Sequence, residues 1–230
     1  MRQIIFDTET TGMNRESRDK SEGHRIIEIG CIELVDRRPT ENHFHRYLNP
    51  EQPIDPGAVD IHGITNERVA HEPTFAAILG DLLAYLDGAD ELIAHNMPFD
   101  QSFLNRELKL AQAGFKLEDR FRLTDTVQLA RSRLSIGKYT LDALCKHYGI
   151  DNSNRTLHGA LLDSQLLAEV YLRLTTEQSG FDFAAAPAAR PATTETSATT
   201  TIAGSGNWQR ISVSGEETAA HQAYLEKIRK

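Results

Sequence analysis

Apolar residues along the first half of the chain fall into short runs separated by polar turns. The clearest runs cover residues 3–7, 25–35 and 43–48, with two more at 91–94 and 121–123. Short runs rich in β-branched and aromatic residues, bounded by turn formers, predict strands. Elsewhere the apolar spacing changes to three and four, which predicts helices over residues 74–86, 98–111, 125–133, 140–148 and 160–174. The three early strands have short links and suggest an antiparallel meander. The later strands alternate with helices, so the expected class is α/β, a sheet layered with helices.

Past residue 175 the pattern lapses. Residues 184–206 are dominated by Ala, Thr, Pro, Ser and Gly, a composition that buries little and predicts a flexible linker. As coil its r.m.s. span is roughly 25–30 Å. Trp208, Ile211 and Val213 follow, then Ala220, Tyr224, Leu225 and Ile228 at helical spacing. A lone helix of this length is marginal in water, so residues 207–230 read as a docking segment ordered by a partner, the alternative being a frayed tail. The expected organisation is a domain over residues 1–176, a junction at 177–183, the linker and the docking segment.

Chemistry enters where the first strand ends. Asp7 and Glu9 are two residues apart, and strand side chains alternate faces, so both carboxylates point into one small volume. Like charges held together repel, and burial disfavours both ionised forms. A solvated surface turn is the bland alternative, but the apolar strand in front argues against it. Asp100 precedes Phe103, Leu104 and Leu108 on one predicted helical stripe; taken alone, it serves equally as a favourable partner for a helix dipole. Asp163 precedes Leu166, Leu167 and Val170 in the same way, and a buried carboxylate needs a partner or a metal. His158 lies five positions before Asp163, roughly 140° away around a continuous helix. The two converge only if His158 lies in the loop before the helix, with Gly159 at the turn. There His158 suits a general base. Carboxylate oxygens suit Mg²⁺ or Mn²⁺ rather than zinc. Two such ions about 3.5–4 Å apart clamp the attacking and leaving oxygens of a phosphoryl displacement, so the chemistry expected is metal-assisted phosphodiester hydrolysis.

Composition narrows the setting. The 230-residue chain is 40% hydrophobic with a formal charge of −8. Residues 1–180 hold 20 Lys and Arg against 28 Asp and Glu. Such a domain is a poor non-specific coat for DNA, since that binding depends on neutralising phosphates. It is compatible with an enzyme that grips only a few nucleotides at a metal-filled pocket. Cys31 and Cys145 are the only cysteines and lack metal-ligand spacing. With no secretory pattern and no apolar run long enough for a bilayer, the expected location is the cytoplasm, with no membrane partner.

Asp7-Thr8-Glu9-Thr10-Thr11-Gly12, His95-Asn96 with Phe99-Asp100, and His158 through Asp163 resemble, in order, the three motifs of the DEDDh 3′–5′ exonucleases. Within that family Leu141-Asp142-Ala143-Leu144-Cys145, Ile150-Asp151-Asn152-Ser153 and Arg155-Thr156-Leu157-His158 are similar to the epsilon proofreading subunits of bacterial DNA polymerase III. The resemblance implies a ribonuclease-H-like mixed sheet. It also implies two Mg²⁺ or Mn²⁺ ions held by Asp7, Glu9, Asp100 and Asp163, with His158 as base. Substrate contacts are expected at Thr8, Glu9, Thr11, Gly12, Gly57, His62, Asn96 and Phe99. His62 reads equally as a loop histidine. Gly57 departs from an acidic residue common in relatives, which leaves contacts to the terminal sugar open. Asp125 suits a helix N-cap. The implied partners are DNA 3′ ends, single-stranded or frayed, the polymerase alpha subunit through the C-terminal segment (Trp208, Tyr224, Leu225), and a further small core subunit. Gln178, Phe181 and Phe183 resemble a sliding-clamp-binding peptide, with chance as a rival. The expected activity is removal of mispaired 3′-terminal nucleotides as 5′-mononucleotides. The rival readings are an exoribonuclease of the same superfamily and a non-catalytic scaffold joining clamp and polymerase.

Overall fold

The computed structural model describes residues 1–176; the junction, linker and docking segment lie outside the described residues. Five strands form one sheet in the order β3-β2-β1-β4-β5. They are β1 (Arg2–Thr10), β2 (Ile26–Val35), β3 (Arg38–Tyr47), β4 (Glu91–Ala94) and β5 (Arg122–Asp125). The first three form the expected antiparallel meander, whereas β4 and β5 run parallel to β1 and to each other. The helices are α1 (Pro56–His62), α2 (Asn66–Val69), α3 (Phe75–Leu86), α4 (Met97–Leu110), α5 (Thr126–Arg133), α6 (Leu141–Tyr148) and α7 (Ala160–Thr175).

Alternation along β1 divides the core. Ile4 and Phe6 pack with Ile29, Phe75, Leu92 and Phe103 on the face covered by α3 and α4. Ile5 packs with Ile93, Leu144, Leu166 and Val170 on the face covered by α6 and α7. Both faces are therefore apolar, which is why β1 and β2 read as nearly unbroken hydrophobic runs. Asp7 and Glu9 continue the Ile5 row towards α7, and Thr8 continues the Ile4 row towards α4.

The expected elements hold to within a few residues, with two exceptions. Strand β3 begins at Arg38, five residues before the expected start, because it is an edge strand with Phe44 alone buried. Its polar positions carry no alternation to read, and Pro39 is tolerated at an edge. Asp36 and Arg37, both at positive φ, make the two-residue hairpin turn that sets the register with β2. Helices α1 and α2 were not expected. Each buries one residue, His62 and Val69 respectively, too few to produce a periodic signal.

Helix α7 sits unusually close to the sheet. At Gly30 on β2, a Cβ would lie 2.3 Å from Leu161 N and 2.4 Å from the Ala160 carbonyl carbon. Ser164 Oγ donates to the Gly30 carbonyl at 2.9 Å. Because α7 carries Asp163, this backbone contact sets the depth of a candidate site residue. Gly30→Ala is expected to lower stability by about 3 kcal/mol through overpacking against rigid backbone, readable by chemical denaturation, with exonuclease activity falling further than the unfolded fraction explains.

Candidate active site

Strand β4 stops short of β1. Pairing between them covers Gln3 to Ile5, whereas residues 7–9 of β1 are paired with β2 alone. The open edge lies where the sheet changes from antiparallel to parallel, the kind of switch point at which α/β sheets form crevices. The first turn of α4 fills part of it. Thr8 Oγ1 donates to Asp100 Oδ1 at 2.7 Å, so the threonine between the two strand acids fixes the acid from the opposite face. Asn96 enters α4 at φ 69, a left-handed conformation costly for a residue with a side chain. Its backbone N–H donates to Asp125 Oδ1 at 3.0 Å, and Asp125 also caps α5 at Val127 N. Asp125 therefore supports the site and leaves the chemistry to others.

On the other face, Gly159 is the extended residue before α7, and His158 lies in the loop as the spacing required. Asp163 is buried and His158 half-exposed, their Oδ2 and Nδ1 atoms 3.4 Å apart. Glu9, His158 and Asp163 each present a polar atom within 4.8 Å of the others. Asp7 and Asp100 line the same cleft, whose volume is about 1280 Å³.

Burial first, then the charges of Asp100, Glu9 and Asp163, raises the Asp7 pKa well above the carboxylate range. Burial, then Asp163 and Glu28, pushes Glu9 up to about 8. Burial raises Asp100 to about 7, against the hydrogen bond from Thr8. Asp163 departs the other way. Burial opposes its charge, but the hydrogen bonds and charge of Arg155, with His158 alongside, outweigh that and hold it below its ordinary value. Three acids that bind protons too tightly, next to one that has a cationic partner, make a site short of positive charge. The hard oxygen donors, with His158 as the imidazole beside Glu9 and Asp163, fit Mg²⁺ or Mn²⁺.

Of the expected substrate residues, Thr8, Glu9, Gly12, Gly57, His62, Asn96 and Phe99 line the cleft. Thr11 does not. It is fully buried, and its Oγ1 accepts from Arg25 N at 3.0 Å and Gln52 Nε2 at 3.1 Å. The irregularity after Glu9 breaks the alternation that would have aimed Thr11 at the cleft, and it serves as a tether instead. Both ring nitrogens of His62 are engaged: Nε2 donates to the Thr10 carbonyl at 3.2 Å and Nδ1 accepts from Ile64 N at 3.0 Å. Burial lowers its pKa, so it is a neutral strut as well as part of the cleft wall.

Sequence reasoning assigned no role to Arg155, Arg131, Arg15 and Lys20, which also line the cleft. Arg155 matters most. Its Nε and Nη2 donate to the two oxygens of Asp163 at 2.5 and 2.7 Å, Nη2 reaches His158 Nδ1 at 2.9 Å, and Nη1 reaches Asp142 at 2.9 Å. A basic residue three before His158 and eight before Asp163 was the available signal, but it has no periodic or charge pattern around it.

Residues 4–171 match the exonuclease (RNase_T) family. The chain is 42% identical over 230 residues to the DNA polymerase III subunit epsilon of Escherichia coli strain K12, covering all of this chain and 94% of that one. It is 49% identical over 178 residues to the same subunit of Haemophilus influenzae, covering 77% and 69%. Among solved structures, Exonuclease X in complex with 5′ overhanging duplex DNA superposes with a TM-score of 0.57 at 26% identity, covering 75% of this chain and 90% of that one. By motif order, by architecture and by identity across nearly its whole length, the chain belongs to the RNase_T exonucleases and, among them, to the DNA polymerase III subunit epsilon family.

Proposed function

We propose that this protein is the proofreading 3′–5′ exonuclease of a replicative DNA polymerase, hydrolysing mispaired 3′-terminal nucleotides to 5′-mononucleotides. One observation carries the reading at the level of chemistry. Four acids from β1, α4 and α7 meet in one cleft beside a loop histidine, with too little positive charge to balance them. Asp7, Glu9, Asp100 and Asp163 would hold two divalent cations, Mg²⁺ or Mn²⁺. When bound, the cations supply Lewis acidity towards the scissile phosphodiester and its leaving oxygen. His158, half-exposed at the cleft, takes the proton of the attacking water on a ring nitrogen. Phe99, Asn96 and Gly57 line the volume a terminal nucleotide would fill, and Arg15, Lys20 and Arg131 place positive charge on the path of its backbone. Preference for mispaired ends comes from fraying, since a mismatched end separates at lower cost before entering the cleft.

The chain's partners follow from its relatives' name and from its own C-terminal sequence. The exonuclease domain spans residues 1–176. Trp208, Tyr224 and Leu225 within residues 207–230 dock the polymerase alpha subunit. Gln178, Phe181 and Phe183 engage the sliding clamp, and the segment 184–206 tethers the two. All of these lie outside the described residues and rest on sequence alone. A further small core subunit completes the assembly. Among the described residues, no helix is long and apolar enough to cross a membrane. The cytoplasm is the proposed location.

End-labelled DNA with a 3′ mismatch is expected to release 5′-mononucleotides faster than matched DNA or RNA, with complete loss in EDTA. Asp7→Asn and Asp163→Asn should abolish release while the circular dichroism spectrum is kept. His158→Gln should lower the rate by about 10²–10⁴-fold, the range of general-base catalysis. Faster release from RNA would move the assignment to exoribonuclease.

The acidic cluster also makes a stability prediction in the absence of cations. Native Asp7, Glu9 and Asp100 bind protons more tightly than the unfolded chain does, so the native state carries more protons between pH near 4 and about 8, the raised value of Glu9. Stability therefore falls as pH rises through this window. Asp163, shifted downward, changes its contribution below that window. In EDTA the melting temperature should drop by several degrees from pH 6 to pH 9. Mn²⁺ should restore it, with a larger rise at pH 8 than at pH 6.

Deleting residues 207–230 should leave hydrolysis of free oligonucleotides intact and abolish co-elution with the polymerase alpha subunit on gel filtration. A truncated chain that still co-elutes would overturn the docking assignment.

A further inference from the structure

Asp163 is expected to ligate a cation, yet both of its oxygens already face one, the Arg155 guanidinium. The Arg155 guanidinium meets them as a two-pronged pair, and the two side chains are 7% and 5% exposed. Such a fork matches a carboxylate in geometry and charge and is the strongest ordinary pairing available to it. A divalent ion needs at least one of the same oxygens. An ion on either oxygen would stand beside the guanidinium, and two cations held that close repel, so guanidinium and ion compete for the site. The same guanidinium donates from Nη2 to His158 Nδ1 at 2.9 Å. Guanidinium has no lone pair, so Nδ1 must be the acceptor, and the neutral ring then carries its hydrogen on Nε2. In that arrangement neither ring nitrogen has a free lone pair for the proton of an attacking water.

Arg155 also has somewhere else to go. Its Nη1 already touches Asp142 Oδ1 at 2.9 Å, and that carboxylate, on α6 at the rim of the cleft, is 58% exposed. Asn152 Nδ2 donates to the same oxygen at 2.9 Å and holds it in place. The guanidinium can leave Asp163 and His158 while keeping this contact, exchanging a buried partner for a solvated one.

We propose that Arg155 is an internal counter-cation that occupies the acidic centre and is exchanged for divalent metal, so that loading the site and freeing His158 are one event. The proposal rests on the cation-holding reading above. Asp7, Glu9, Asp100 and Asp163 would bring four negative charges into one cleft; Arg155 relieves that repulsion until a cation of higher charge arrives. The exchange keeps the enzyme folded and inert without metal, and places Arg155 at the rim once metal is bound. Arg155 is thus a positioning residue, acting through Asp163 and His158.

Mn²⁺ binding to the full chain, with free ion counted by electron paramagnetic resonance, tests this without reference to activity. If the guanidinium holds Asp163 about nine-tenths of the time, removing it should tighten the apparent Kd about tenfold. Arg155→Gln is therefore expected to bind Mn²⁺ about tenfold more tightly than wild type, to melt at lower temperature in EDTA, and to show a larger Mn²⁺-induced rise. Damage to the fold would weaken Mn²⁺ binding, the opposite sign. Equal or weaker binding by Arg155→Gln, with wild type binding normally, overturns the exchange and leaves the cation-holding reading standing. Failure of wild type to bind Mn²⁺ overturns both. Should Arg155→Gln not fold, Asp142→Asn reads the other end of the exchange: loss of the rim partner should weaken Mn²⁺ binding, and an unchanged Kd would refute the proposal.

Discussion

Glu9 and Asp163 approach within a few ångströms from strand β1 and helix α7, both of which are held by β2. Helix α7 is held against β2 by backbone contact at Gly30, and β1 is fixed by its pairing with β2. Electrostatic repulsion between these buried carboxylates therefore cannot be relieved by letting the groups drift apart. It has to be relieved by protons, by Arg155 or by an added cation. The raised affinities of Asp7, Glu9 and Asp100 for protons, the lowered one of Asp163 and the buried guanidinium all express that constraint.

Sheet topology brings the acids together. A strand with full neighbours on both sides has no room beside it for the first turn of a helix. Because β4 ends early, Asp100 reaches the exposed edge of β1 and takes a hydrogen bond from Thr8. Behind the site, buried Glu28 pairs with Glu9 across β1 and β2, accepts from Ala160 N at the start of α7 and binds His45 Nε2 at 2.7 Å. One carboxylate thereby joins the edge strand to the helix bearing Asp163, on a residue whose backbone pairs with Glu9. Adding its charge beside Glu9 also deepens the deficit of positive charge that the cleft must meet.

What could be read from the sequence follows from which forces leave a periodic trace. Strands β1, β2 and β4 and helices α3, α4, α6 and α7 bury wide apolar faces, so their spacing announced them, and the acids stood out against those faces. The first half of edge strand β3 and helices α1 and α2 bury almost nothing and left no pattern. Thr11 was misplaced because one irregularity after Glu9 ended the alternation on which its direction depended. Arg155 escaped for a different reason. Its importance comes from convergence of Asp163, His158 and Asp142 in space, and a single arginine in a polar loop looks the same whether or not such a meeting occurs. The DEDDh motif order supplied the acids and the histidine together, but it contained no position for their counter-charge.

The electrostatics of the domain and the selectivity expected of a proofreader fit one account. An acidic surface discourages lingering on duplex DNA, because non-specific binding scales with phosphates neutralised. Arg15, Lys20 and Arg131 instead place positive charge at the cleft itself. Under such conditions discrimination need not involve recognition of a wrong base. An end that stays paired must have its stacking and pairing broken before it can reach Asp7 and His158, whereas a mismatched end has lost part of that cost already. Raising the domain's general affinity for DNA would supply binding energy to both ends alike. It would speed removal of correct nucleotides as well as incorrect ones, so weak intrinsic binding is itself a condition for selective removal.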